Sequence, residues 1–301
     1  MGSYCVLTQE AVRSFQDQRG LRADGVCDES TWGALVEASW RLGDRPLFLT
    51  LPNLRGDDIA DLQSRLARLG FDSGRVDGIL GPRTAQALTD FQSNCGLVSD
   101  GICGIETVRA MQRVSAHSGD GPGVSTVREQ ERMRSGPSSV AHCRVVIGQF
   151  GGLGTLTRAV AKELRQVGAM VMPLDEPDPV AQAMAANHFA ADVYIGFEVT
   201  AEPAATVYFY KVPTFESVGG RALAEAMREQ LAHLVAEAHR VGFGSAVSAA
   251  TVEGMRLPVL RETRMPAVVM SVGPTRTVTD AATHLAAAVV RAIENWTSRA
   301  S

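Results

Sequence analysis

Five histidines are candidates for metal or acid–base chemistry, His142, His188, His233, His239 and His284, and they are scattered along the chain. His188 and His284 fall on segments that read as helices. His233 and His239 share one helix but stand six residues apart, off the i, i+4 face on which two imidazoles hold one ion. This spacing predicts solvated or locally bonded histidines. Gly148, Gly151, Gly152 and Gly154 resemble a phosphate-cradling loop, yet their intervals fail G-x-G-x-x-G. Ser271 has neither a nearby His nor a G-x-S-x-G elbow to make it a nucleophile. Cys5, Cys27, Cys95, Cys103 and Cys143 contain no C-x-x-C and are odd in number, which fits reduced thiols better than a disulfide framework. Cys27 and Cys103 hold apolar positions and are expected to be packed. What remains is Glu198, one carboxylate at a strand end, and one carboxylate does not make a metal centre.

The elements that position these residues begin at Arg144, where strands alternate with helices. Residues 145–147, 169–174, 192–199, 206–212 and 267–272 read as strands, the fourth alternating and Tyr-rich. Leu156, Val160, Leu164 and Val167 make one helix face, and residues 179–190 a second helix. Leu223, Met227, Leu231, Leu234 and Ala238 stripe a long helix. Leu285, Val289, Ile293 and Trp296 stripe the last one, with Thr279 as its expected N-cap. The alternation predicts an α/β domain at 143–299, a mixed, mostly parallel sheet with flanking helices. Residues 116–142, rich in Ser, Gly and Pro around a charged stretch at 127–134, read as a linker.

Upstream of the linker the chain duplicates itself at an offset of 76 residues: Phe15-Gln16, Gly20-Leu21, Asp24-Gly25 and Thr31 recur as Phe91-Gln92, Gly96-Leu97, Asp100-Gly101 and Thr107. The second copy, 50–115, is complete. Ile59, Leu62, Leu66 and Leu69 stripe a helix with Asp57 and Asp58 in its first turn, Pro82 suits the start of a second, and a short third lies near 107–111. The first copy, 1–43, lacks the opening helix, which would lie upstream of Leu7. Both an upstream start and support from the neighbouring domain remain open.

The strings L-Q-x-x-L-x-x-x-G, D-G-x-x-G-P-x-T and F-Q-x-x-x-G-L-x-x-D-G, in order over residues 52–113 and in part over 7–42, resemble the three-helix peptidoglycan-binding module. Residues 144–297 resemble the catalytic domain of the zinc-dependent N-acetylmuramoyl-L-alanine amidases. The resemblance implies zinc held by His, Glu and His, with a second Glu as acid/base. It carries these roles onto Phe150, after the strand that ends in Gly148-Gln149; onto Leu153, counted back from Val160-Ala161; onto Glu198, which closes the string from Asn187; and onto Ser271, after Arg261 and Pro266. All four positions are changed, so no catalytic residue, no metal ligand and no cofactor is expected, zinc included. Repeats, degenerate domain and residues 37–43 (E-A-S-x-R-L-G) together resemble the actinobacterial CwlM-type amidase homologues, which implies control of peptidoglycan precursor synthesis through protein partners.

The 301 residues, 45% hydrophobic and 21% charged, describe two soluble domains. A net charge of −4 disfavours nucleic acid as a general partner, and no apolar run approaches the roughly 20 residues of a membrane span. Residues 1–12 lack a secretory pattern, so the expected location is cytoplasmic, or extracellular if an upstream start carries a signal. The expected function is non-catalytic binding of peptidoglycan or muropeptide fragments and of precursor-synthesis enzymes. The alternatives are a divergent amidase and a wall-binding protein outside the cell. Contacts are expected from Arg75, Arg83, Phe91 and Asn94 around the turns at 77–82 and 91–101 of the complete repeat.

Overall fold

A computed structural model describes residues 4–115, 131, 136–241 and 250–300. The chain forms two compact units, the first helical and the second containing nearly all of the chain from Arg144 onward. The charged stretch expected to form a short helix in the linker lies, apart from Glu131, outside the described residues.

The helical unit holds α1 (Val6–Gln18), α2 (Glu29–Ser39), α3 (Asp57–Arg68), α4 (Pro82–Asn94) and α5 (Ile105–Ser115). α3 carries Asp57 and Asp58 in its first turn and Arg65 and Arg68 in its last, each complementing the helix dipole. Asp28 caps α2 by accepting from the Thr31 amide, and Pro82 opens α4. Ile59, Leu62 and Leu66 of α3 pack with Leu88 and Phe91 of α4 and with Met111 of α5 in one core.

A buried glutamine closes each turn between paired helices. Gln92 of α4 places Nε2 within 2.9–3.2 Å of Asp100 Oδ1, the Ile102 carbonyl and Thr107 Oγ1, while its Oε1 accepts from the Gly101 amide at 2.9 Å. Gln16 makes the same four contacts with Asp24, Val26, Thr31 and Gly25. Gln63 makes them with Asp77, Ile79, Thr84 and Gly78. The glycine is required because its φ is +70 to +76° in all three turns. The duplication seen in sequence is therefore a clamp used three times, with the Gln-to-Asp interval lengthened from 8 residues to 14 between α3 and α4.

One expectation about the repeats is corrected. Cys103 is buried, but Cys27, its counterpart, is exposed. Cys103 sits in the core with α3 and Leu47, and no equivalent of α3 covers Cys27 among the described residues.

In the second unit β1 (Arg144–Gln149), α6 (Gly154–Gln166), β2 (Met170–Pro173), α7 (Pro179–His188) and β3 (Val193–Val199) follow one another. Then come β4 (Ala205–Val212), β5 (Phe215–Glu216), α8 (Val218–Val241), β6 (Ala250–Met255), α9 (Pro258–Glu262), β7 (Ala267–Val272), α10 (Thr275–Asp280) and α11 (Ala282–Ala300). The sheet runs β2-β1-β3-β7-β4-β5, with β6 also on β4. The pairs β1–β2, β1–β3, β3–β7 and β4–β6 are parallel and β4–β7 is antiparallel. This is a mixed, mostly parallel sheet with flanking helices.

Alternation sends Val193, Ile195 and Phe197 to one face, where they meet Leu156 and Val160 of α6, Leu223 and Met227 of α8, and Leu285 and Val289 of α11. α7 and α9, which pack on one another, stand on the opposite side of the chain's strands from that core. Thr279 is not the cap of the last helix. It lies inside α10, where its hydroxyl donates to the Thr275 carbonyl, and α11 starts after it. β5, β6 and α9 were not expected: β5 is two residues long, and β6 is half-exposed and contains Gly254, so neither carries an apolar run.

Two outcomes follow from burial. Replacing Gln63 by Leu leaves the Gly78 amide and Thr84 without their amide partner and should cost about 2–3 kcal/mol, read as a lower denaturation midpoint at unchanged slope. Burial pushes the Cys103 and Cys143 thiols up to about 12. A thiol reagent at pH 8 should therefore modify Cys5, Cys27 and Cys95 in the native protein and reach the other two only on unfolding.

Candidate functional site

Three neighbouring parallel strands, β1, β3 and β7, end at one edge of the sheet, and open α/β sheets bind ligands beyond the carboxyl ends of their strands. Strand register does the positioning. Glu198 of β3 is level with Ser271 of β7, Ser271 with Thr206 of β4, and Thr206 with Thr251 of β6. The four side chains share one face, a carboxylate followed by three hydroxyls across four strands. The two threonine hydroxyls are 3.1 Å apart. Glu198 is half-buried and Ser271 is 7% exposed; neither side chain has a hydrogen-bond or ion-pair partner among the described residues.

One pleat further back on this face, Gly148 of β1 is level with Gly196 of β3. The space their missing side chains leave is filled. A Cβ on Gly148 would lie 1.7 Å from Gln182 Oε1 and 2.5 Å from the Tyr194 hydroxyl. Tyr194 donates to Gln182 Oε1 at 2.7 Å, and Gln182 Nε2 donates to the carbonyls of Gln149 and Glu176. Burial holds the Tyr194 phenol well above its usual pKa, so it stays a donor. A Cβ on Gly196 would meet the Phe150 ring at 3.2 Å, so that ring lies over Gly196, beside Glu198.

The loop after β1 is held by Gln149. Its Oε1 accepts from the Leu153 amide at 2.8 Å and its Nε2 donates to Asp175 at 2.6 Å. Gly151 and Gly152 turn the chain at φ +99 and +73°. The Phe150 amide donates to the Phe197 carbonyl at 2.8 Å, which extends the β1–β3 pairing by one residue.

Residues 1–35 and 55–111 match the peptidoglycan binding domain family. A relative from Mycobacterium tuberculosis, "N-acetylmuramoyl-L-alanine amidase CwlM", is 32% identical over 296 residues, covering 88% of this chain and 70% of the relative. The chain belongs to the N-acetylmuramoyl-L-alanine amidase family. A spore cortex-lytic enzyme of Bacillus cereus is 40% identical over 62 residues, which are 21% of this chain and 24% of that enzyme. The solved amidase AmiC2 of Nostoc punctiforme, at 18% identity, covers 51% of this chain and 96% of its own, with a TM-score of 0.40.

Within the amidase family's layout the four sequence-derived positions do not come together as a set. Phe150, Glu198 and Ser271 share the edge described above. Leu153 does not: it is fully buried in the core with Leu156, on the other face of the sheet. A phenyl ring and an isobutyl group offer no lone pair. One carboxylate and one hydroxyl remain, a donor set that does not fit the three-ligand centre of a catalytic zinc. Among the described residues no three His, Cys, Asp or Glu are grouped to hold a metal ion. His142, His188, His233 and His284 are exposed, and the side chain of His239 lies outside the described residues.

The expected contact residues of the complete repeat fare unequally. Phe91 is corrected: it is fully buried, edge-on to Phe71 with centroids 5.7 Å apart, because the stripe of α4 turns it into the core. Arg75 is half-buried, and Arg83 is exposed and paired with Asp72. Asn94 is exposed and donates to the Asp90 carbonyl of its own helix. Arg83 and Asn94 sit at opposite ends of α4, roughly 16 Å apart at 1.5 Å per residue, so they do not form one cluster.

Sequence reasoning missed the hydroxyl row and the Gln182–Tyr194 pair. Their signals were faint: polar residues alternating in two strands, and one Gln inside an Ala-rich helix opposite a strand glycine. Gly148→Ala should destabilise by about 2–4 kcal/mol by forcing the pair apart, and Tyr194→Phe by about 1–2 kcal/mol by leaving Gln182 Oε1 unpaired. Measured together by denaturation, the two should be clearly less than additive, since both break one network.

Proposed function

We propose that this chain is a peptidoglycan-binding regulatory protein that retains an amidase scaffold without its hydrolytic chemistry. It acts in the cytoplasm on peptidoglycan precursor synthesis through protein partners. The observation that carries the reading is the Phe150 ring lying over Gly196 beside Glu198, with Leu153 turned into the core. Metal-assisted amide hydrolysis needs three protein ligands, an open coordination position and a nearby base. Ser271 is a poor substitute for a carboxylate, since an unactivated hydroxyl does not accept a proton near neutral pH. General acid–base assistance of this kind is worth roughly 10²–10⁴-fold in rate. Binding of muropeptides or wall fragments is supported by the peptidoglycan binding domain match over both repeats. Regulation through precursor enzymes is supported by the resemblance of the repeats, the degenerate domain and residues 37–43 to the CwlM-type homologues.

The printed name of that relative favours a second reading, a divergent N-acetylmuramoyl-L-alanine amidase acting in peptidoglycan turnover. Elemental analysis and an amidase assay separate the two. The purified chain should hold well below one zinc per molecule and release no peptide from peptidoglycan. The variant Phe150→His should still take up no stoichiometric zinc, because with Leu153 in the core only that His and Glu198 are left as ligands, one short of three. One zinc per chain that is lost with Glu198→Ala, or hydrolysis abolished by a chelator, would falsify the pseudo-enzyme reading.

A further inference from the structure

Glu198 is half-buried on a sheet face, and no Lys, Arg or His is paired with it among the described residues. Drawing a carboxylate out of water is costly unless a counter-charge or several donors meet it. Ser271, level with it on β7, is 7% exposed, and its hydroxyl has no hydrogen-bond partner among the described residues either. Buried hydroxyls are ordinarily bonded. Two unmatched polar groups side by side on one face describe a ligand that donates to both and carries positive charge.

The spacing of the strands narrows the ligand further. Neighbouring strands lie about 4.8 Å apart, so one donor atom can bridge carboxylate and hydroxyl at charge-assisted distances of about 2.8 Å. A primary ammonium, with three donors around a compact nitrogen, bridges two such acceptors; a forked guanidinium matches the two oxygens of one carboxylate instead. The Phe150 ring, over Gly196 and beside Glu198, adds an aromatic wall on which the methylenes next to an ammonium can pack. The polar row continues through Thr206 and Thr251, whose hydroxyls are 3.1 Å apart. One donates to the other, so the pair keeps one hydrogen to give and lone pairs to receive. From Ser271 to the middle of that pair is roughly 7 Å, between one and two strand spacings, a length that the four-carbon stem of lysine covers. The loops and helices around this edge carry Asp175, Glu176, Asp178 and Glu202 against Arg158 and Arg276, a balance that draws cations.

We propose that Glu198, Ser271 and Phe150 hold the side-chain ammonium of a lysine presented by a peptide, with Thr206 and Thr251 receiving the main chain beside it. Glu198 supplies the opposite charge and Ser271 the second acceptor. The ring packs on the stem, and the threonine pair offers a donor and an acceptor to a peptide amide. The site rests on the reading that this edge holds no zinc, and it deepens that reading by naming the chemistry of the ligand.

The test uses the intact chain as purified, with its zinc content measured first. The probe is acetyl-Ala-Lys-Ala-amide, titrated while the amide NMR signals of the protein are followed. Binding should be saturable. The same peptide with norleucine for lysine, which keeps the stem and drops the charge, should bind at least about 10-fold more weakly. Glu198→Gln should weaken the lysine peptide by about 10-fold or more and Ser271→Ala by about 3-fold or more. n-Butylamine, the stem without a main chain, should bind more weakly than the peptide. The norleucine comparison uses the unaltered protein and so stands even where a variant fails to fold. Lysine and norleucine peptides that bind alike, an arginine peptide that matches the lysine one, or binding indifferent to Glu198→Gln overturns the inference. Butylamine as tight as the peptide overturns the role of the threonines and makes the ligand a free amine. Stoichiometric zinc sinks the reading on which the site rests, whereas a zinc-free chain that binds no lysine peptide sinks the site alone.

Discussion

The register of β3 against β1 and β7 is the constraint on which the sheet unit depends. Side chains alternate faces, so a slip of one residue would turn Val193, Ile195 and Phe197 out of the core and bring Tyr194, Gly196 and Glu198 into it. The buried apolar set excludes that slip. With register settled, Gly148 must face Gly196, Glu198 must face Ser271, and the space above the glycines must be filled by something. Gln182 and Tyr194 fill it with a pair whose polar atoms are satisfied, and the Phe150 ring closes the next position. This edge of the sheet is thus organised by packing.

In the helical unit the organising groups are neutral amides. Each buried glutamine satisfies a glycine amide, a carbonyl and two side-chain oxygens that would otherwise be stranded where two helices meet. α4 takes part in two such clamps, receiving Gln63 at Thr84 and contributing Gln92 to the next turn. This links α3, α4 and α5 into one cooperative run.

Much of this architecture was legible. Apolar strands such as Ala267–Val272, and stripes such as Leu223, Met227 and Leu231, have the period of the element they form, so tertiary context had little to override. The duplication was visible because α1–α2 and α4–α5 share every interval. The α3–α4 clamp was not, because its longer turn changes the Gln-to-Asp interval while keeping the contacts. The hydroxyl row was illegible for a different reason: it exists only across strands, and Thr206 and Thr251 acquire a relation to Glu198 only through register. Phe91 and Cys27 were misjudged in opposite senses. The first lies near a turn but faces the core, and the second has a core residue's neighbours in sequence but not in space. Leu153 could be counted to its family position, yet which side of the sheet it faces depends on how Gln149 bends the loop.

The two repeats are joined by means quite unlike those used inside them. Arg19 grips Asp57 with both terminal guanidinium nitrogens, at 2.7 and 2.8 Å. Arg45, stacked on Trp40, reaches the fully buried Asp58 at 2.7 Å. Both aspartates open α3, so the seam between the repeats carries two arginine–aspartate pairs, while each clamp is centred on a neutral glutamine amide. Mobile ions weaken the half-exposed Arg19–Asp57 pair and leave a buried amide untouched. Ionic strength therefore acts selectively on this seam: it weakens the Arg19–Asp57 contact and spares the Arg45–Asp58 pair, whose carboxylate is buried.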